Sequence, residues 1–179
     1  MRRCPVCSTK FEPSRPGQKC CPDPDCAITL GRQNKEKAER IADRKRRVEM
    51  KTISQLRNEA QFWFNRFIRL RDDAMPCISC GRHHEGQWHA GHYLSTGAHP
   101  ELRFDERNVF KQCQPCNAHL SGNLIEYRKS LVARFGADYV EWLEGPHEPK
   151  HYGKSDLIEI RDTYRAKCRV AEKQLEENN

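Results

Sequence analysis

Cys77-Ile78-Ser79-Cys80, Trp88-His89-Ala90-Gly91-His92 and Cys113-Gln114-Pro115-Cys116-Asn117 decide the fold of this 179-residue chain. Four thiolates in two Cys-x-x-Cys knuckles close a tetrahedral zinc site. With no open position left for substrate, such a zinc is structural. It would staple two segments far apart in sequence, and the residues it staples include two histidines and an asparagine. Imidazole and amide oxygen suit a divalent ion such as Mg²⁺ or Mn²⁺, and an imidazole also serves as a proton-accepting base. A bare zinc finger needs neither, so the arrangement points to a metal-dependent nuclease.

Working outward, glycines at 81, 86, 91 and 97 punctuate the segment between the knuckles and favour short strands and turns. Leu120, Leu124, Tyr127 and Leu131 then recur at helical spacing, with Gly136 as a stop. Two strands followed by a helix starting at the second knuckle make a ββα-metal unit. Asn117 then stands at the helix N-terminus, where free backbone N–H groups favour a phosphate. His89 and His92 differ in strand parity, so they face opposite sides unless the chain bends, for instance at Gly91.

Upstream, Leu56, Ala60, Trp63, Phe67 and Leu70, widened by Phe64 and Ile68, predict an amphipathic helix that Pro76 ends. Downstream come a short helix over 137–144, stopped by Gly145-Pro146, and a last helix starting near Ser155 or Asp156. On that helix Cys168 lies on the apolar stripe and reads as a buried thiol.

Only 36% of the chain is hydrophobic and 32% is charged, so the core is modest and centred between Leu56 and Leu143. The net charge of +7 is uneven. Residues 31–58 carry ten Lys/Arg against four Asp/Glu, and residues 1–30 five against three. A basic arm of this kind reads as a nucleic-acid contact. Within 1–30, Cys4 and Cys7 form one knuckle and Cys20-Cys21-Pro22 with Cys26 supplies the second half of a zinc module. Cys21 is favoured over Cys20 because it leaves the shorter loop to Cys26. Its five prolines argue against a helix there, and a piece this short needs metal to hold it. No apolar run is long enough for a signal or a membrane span, and eight of the ten cysteines, in or near knuckle spacings, imply metal binding in a reducing cytoplasm. The expected organisation is an N-terminal zinc module (1–30), a basic helical linker (31–55), a core with its preceding helix (56–145) and a C-terminal helix (146–179). The fold class is α+β, mainly α.

His92, Asn108 and Asn117-Ala118-His119, set between the knuckles, resemble the HNH (His-Me finger) endonuclease motif. The run from Cys113 to Asn117 is similar to that of phage endonuclease VII, a resolvase of branched DNA. Residues 76–81, 87–93, 102–105 and 111–123, with the early Cys-Cys-Pro and the Lys/Arg/Glu-rich stretch after it, resemble the phage NinG (Rap) recombination proteins. This resemblance implies a recombination endonuclease that cuts Holliday junctions, D-loops and other branched DNA, in the host cytoplasm if phage-encoded. It also implies roles: His92 as base, Asn108 as orienter of its loop, and Asn117 with His119 near the ion. Many HNH enzymes place an acidic or histidine ligand directly before the base. Gly91 stands there, so His89 takes that role. Arg44, Lys45, Arg46, Arg47, Lys51, Arg103 and Lys111 are the expected DNA contacts. Two symmetric cuts across a four-way junction imply a homodimer, with the 56–70 helix and the last helix as its surfaces. Two other readings remain: a general or sequence-preferring HNH nuclease, and a non-catalytic zinc-dependent recombination accessory protein.

Overall fold

The computed structural model describes residues 1–177, a mainly helical α+β chain with two small sheets. It divides into two compact units, one ending at Lys51 and one beginning at Thr52.

The first unit pairs β1 (Arg2–Arg3) with β2 (Lys10–Phe11) and continues into α1 (Pro24–Glu49). The expectation that proline excludes helix before residue 30 fails at Pro24. It occupies the first helical turn, where its missing N–H is not needed, and Asp23 caps that turn by accepting from the Asp25 N–H at 2.9 Å. The boundary expected at residue 30 therefore falls inside a continuous helix. Cys26 is the one buried residue of α1, and Ile28 and Ile41 are exposed. Beyond its first turn α1 has no apolar face to bury.

The second unit begins with α2 (Ile53–Arg71), opened by a reciprocal cap in which Thr52 Oγ1 accepts from the Gln55 N–H and Gln55 Oε1 accepts from the Thr52 N–H. Leu56, Ala60, Phe64 and Ile68, four residues apart, are fully buried. The helix ends at Arg71, before Pro76 is reached. There the buried carboxylate of Asp72 accepts from the Lys111 N–H at 2.9 Å and from Arg71, and Arg71 also donates to the Val109 carbonyl. The end of α2 is thus tied to the sheet.

That sheet is β3 (Trp88–His92) paired antiparallel with β4 (Val109–Cys113), in a register that sets His89 opposite Gln112 and His92 opposite Val109. Ala90 and Val109 on one face pack against α2 and the long α5 (Lys154–Glu177). Phe64 meets Phe104 and Tyr164 edge-on, at centroid distances of 5.6 and 4.8 Å. Phe110 and Tyr93 serve the other core, with α3 (Leu124–Phe135) and α4 (Ala137–Glu144) supplying Tyr127, Leu131, Val140 and Leu143. Cys168 is buried on α5, its thiol facing the Trp63 carbonyl. The apolar stripes of α2 and α5 pack against each other, while Phe62 and Val170 of these helices stay exposed. Phe64→Ala is expected to lower stability by about 3–5 kcal/mol, read as a drop in the urea midpoint with unchanged slope.

The helix after the second knuckle does not start at Asn117. Pro115–His119 form one wide π-helical turn, and α3 begins only at Leu124. Ser121, Gly122 and Asn123 between them all take positive φ (48°, 91° and 45°), a run that reverses the chain and breaks the helix. Leu120 is consequently exposed. No helix of the described residues is long and apolar enough to cross a membrane.

Candidate functional site

Two groups of four cysteines form, each with its sulfurs within 4.8 Å of one another: Cys77, Cys80, Cys113 and Cys116, and Cys4, Cys7, Cys21 and Cys26. Both can hold a zinc ion. In the first, one knuckle precedes β3 and the other straddles the end of β4, so the metal joins the loop at Cys77 to the sheet. Burial pushes the Cys77 thiol up, but the N–H groups of Cys80 and Cys113 outweigh it and hold it below the ordinary range. Such a thiol is ready to ligate as thiolate. Asn123 donates to Cys116 Sγ at 3.6 Å, and His84 Nε2 lies 3.2 Å from Cys80 Sγ. Polar partners outside the ligand shell of this kind orient metal ligands. In the N-terminal group the N–H groups of Cys7 and Cys21 bring Cys4 down to about 6. Cys21 belongs to this group and Cys20 does not.

His92 ends β3 on the face that meets α2, with its ring 6.3 Å from that of Phe64. Its Nε2 lies 3.0 Å from the Arg103 carbonyl oxygen. A carbonyl only accepts, so Nε2 carries the proton and Nδ1 of the neutral ring is the acceptor. Burial pushes the His92 pKa down, and the Arg103 charge adds to this, against the opposing pull of the carbonyl. The ring is therefore a neutral base at physiological pH. Asn108, fully buried, pins the loop that follows: its Oδ1 accepts from the Leu94 N–H and its Nδ2 donates to the carbonyls of Leu94 and Leu102. The Leu102 carbonyl is one residue from the one that holds His92.

The strand does not bend at Gly91. Pairing is continuous through His92, so His89 and His92 face opposite sides of the sheet. His89 shares its face with Gly91 and Gln112, toward α3. Among the described residues, His89 Nε2 and Gln112 Oε1 are buried without hydrogen-bond partners. A buried imidazole nitrogen left without a partner suits a metal ligand. Asn117 is half-buried on the π-helical turn and His119 is exposed. No group of three His, Cys, Asp or Glu ligand atoms forms around His89 or His119 among the described residues.

Gln112 explains why position 91 lacks an acidic side chain. A Cβ on Gly91 would lie 2.1 Å from Gln112 Oε1. Gln112 cannot easily yield, because its amide donates to Ser79 Oγ at 2.6 Å and to the Gly122 carbonyl. Gly91→Ala is expected to destabilise the protein by about 1–3 kcal/mol through overpacking. A Gly91→Ala protein with the parent's thermal midpoint would show that Gln112 moves aside freely. Neither Gln112 nor Tyr127 stood out in the sequence as a site residue. Tyr127 accepts from the Phe110 N–H and donates to the Gly91 carbonyl, bridging both strands beneath the site. Both act through backbone groups of distant residues, for which no sequence signal exists.

Of the expected DNA contacts, Arg44, Lys45, Arg46 and Arg47 are exposed on α1, and Lys51 closes the first unit half-buried. Lys111 is not such a contact. It is buried, its ammonium donates to the Asp73 carbonyl at 2.6 Å and lies 4.3 Å from the Trp88 ring centroid. Arg103 is half-buried and engaged with Gln61 Oε1 and the Thr96 carbonyl.

Residues 1–176 match the family described as bacteriophage lambda NinG protein. Among curated relatives, protein ninG of Escherichia phage lambda is 40% identical over 188 residues, covering 94% of this chain and 92% of the relative. Protein ninG of Enterobacteria phage H19B is 43% identical over 163 residues, covering 82% and 81%. Protein ninG of Salmonella phage P22 is 40% identical over 188 residues. No solved structure matches the chain.

Proposed function

The chain belongs to the bacteriophage NinG family, and from that premise we propose that it is a metal-dependent endonuclease of the HNH type, cutting Holliday junctions, D-loops and other branched DNA. The observation that carries the reading is the state of His92. One nitrogen is fixed by the Arg103 carbonyl, the other is left as an acceptor, and the ring is held neutral. A packing histidine does not need a loop clamped by three hydrogen bonds from a fully buried asparagine. His92 Nδ1 takes the proton of a water as that water attacks the scissile phosphorus. Asn108 acts as a positioning residue, through the loop that carries the Arg103 carbonyl. His89 and Asn117, with His119 near, are the groups that would hold Mg²⁺ or Mn²⁺, which would supply charge neutralisation at the phosphate. Because His89 and His92 face opposite sides of the sheet, a phosphate that meets both ion and base must lie at the edge of β3. A structural zinc would fix the turn bearing Asn117, through Cys113 and Cys116, to the Cys77–Cys80 loop that precedes β3.

The exposed cations of α1 serve as sequence-independent backbone contacts, giving affinity that falls with salt. A two-fold dimer belongs to the proposal, because two strands must be cut symmetrically. A monomer-sized particle on a junction in light scattering would remove that part.

The test is a labelled four-way junction and a matched linear duplex, incubated with Mg²⁺, Mn²⁺ or EDTA. Metal-dependent cutting of the junction alone is expected. Equal cutting of both substrates would indicate a general nuclease. Binding without cutting under every metal would indicate an accessory protein and reduce His89, His92 and Asn117 to structural residues.

A further inference from the structure

Between the C-terminal half of α2 and the loop after the first core knuckle lies an open cleft of about 460 Å³, lined by Arg66, Arg69, Asp73, His83, Trp88 and Lys111 among others. Its charges are unevenly compensated. Arg66 pairs with Glu172, and Lys111 donates to the Asp73 carbonyl. Arg69 is half-buried, yet among the described residues it has no ion-pair or hydrogen-bond partner. Asp73 is the one acidic residue of the lining. A half-buried guanidinium beside a second arginine and without a carboxylate is held at a cost, and a phosphate oxygen is the acceptor its planar fork matches. Trp88 adds an aromatic wall, against which a sugar or base can rest.

The placement matters as much as the charge. Trp88 and His92 are the two ends of β3 and lie on the same face of it. The geometry points to a second DNA subsite at the Trp88 end of β3: Arg69 grips a backbone phosphate that flanks the bond His92 attacks. This subsite rests on the nuclease reading for its place beside the cut, but not for its affinity for DNA.

The experiment measures binding of the full-length, zinc-loaded protein to a labelled four-way junction in EDTA-free buffer without added Mg²⁺ or Mn²⁺, as a function of salt. Arg69→Gln is expected to weaken binding about tenfold and to lower the salt slope by about one. Arg69→Lys should restore most of both, since it keeps the charge. Methylphosphonates placed singly at successive positions away from the cut should weaken wild-type binding at one position and leave Arg69→Gln unchanged there. If Arg69 variants lose zinc or melt early, His83→Glu, an exposed change at the cleft mouth, takes their place and should also weaken binding. Unchanged affinity and salt slope in a folded Arg69→Gln or His83→Glu protein would overturn the subsite while leaving the nuclease reading intact. A wild-type protein that binds through Arg69 but never cuts would keep the subsite and sink the nuclease. Absence of any junction binding would end both.

Discussion

Cys113→Ser is expected to abolish the fold of the unit that begins at Thr52. A four-thiolate zinc site contributes on the order of 10–16 kcal/mol to folding in small domains, whereas a whole domain is stable by about 5–15 kcal/mol. Losing one ligand therefore removes a share comparable with the total. The geometry makes Cys113 the most sensitive of the four. It ends β4, its N–H donates to Cys77 Sγ at 3.4 Å, and its own sulfur lies 3.9 Å from that of Cys80. The measurement is zinc per chain by atomic emission, with thermal unfolding alongside. Zinc should fall from two to one per chain, and the main cooperative transition should disappear. Cys26→Ser should also lose one zinc yet keep that transition, because its ligands belong to the other unit. Cys20→Ser should retain both ions. A Cys113→Ser protein that unfolds like the parent would mean that the hydrophobic cores around Phe64 and Tyr127 suffice without metal.

This contrast also marks what the chain discloses before it folds. Knuckle spacing is a local property, so both cysteine groups, and the preference for Cys21 over Cys20, could be read directly. The α2 stripe is legible as a helix face, but its centre is not: the sequence sets it on Leu56, Ala60, Trp63, Phe67 and Leu70, whereas Phe64 and Ile68 continue the fully buried row and Trp63, Phe67 and Leu70 are half-buried. The buried face of Cys168 followed the same logic. Errors arose where a residue type has two uses. Pro24 reads as a helix breaker in the sequence although it opens α1, and Lys111 reads as a phosphate contact although β4 turns it inward. Asn117 reads as a helix start because Gly122 alone weakens the helical pattern locally, and Ser121 and Asn123 give no sign of the positive φ they share with it. Gln112 above Gly91, and the Arg103 carbonyl beneath His92, are contacts between residues 11 or more positions apart and involve backbone or amide groups. Composition and periodicity carry no information about such pairs. The site was thus legible as a set of residue types, and its geometry was not.

His92→Ala carries the second large effect, and pH separates it from a structural one. As the proton acceptor in the proposed cutting reaction, the imidazole is worth about 10²–10⁴ in rate. The variant should lose cutting to that extent while binding the junction as tightly as the parent. Wild-type cutting by His92→Ala would remove the assignment outright. The direction of the pKa shift adds a second readout. Burial lowers the folded pKa of His92 below the unfolded value of about 6.5. The acid limb of kcat/KM should therefore lie below pH 6.5, with the base free and active above it. Stability follows the same sign: the contribution of the neutral ring is complete above the unfolded pKa and is lost as pH falls through the folded one. In His92→Ala that part of the acid destabilisation should vanish together with the cutting. Asn108→Asp tests the route through the loop. It keeps the acceptor for the Leu94 N–H but removes the donor to the carbonyls of Leu94 and Leu102. If Asn108 acts by positioning, kcat should fall with KM little changed, and the acid limb should move toward the ordinary histidine value as the His92 ring becomes more exposed. An acid limb that stays in place in Asn108→Asp, with kcat intact, would separate Asn108 from the base and leave it a packing residue of the loop.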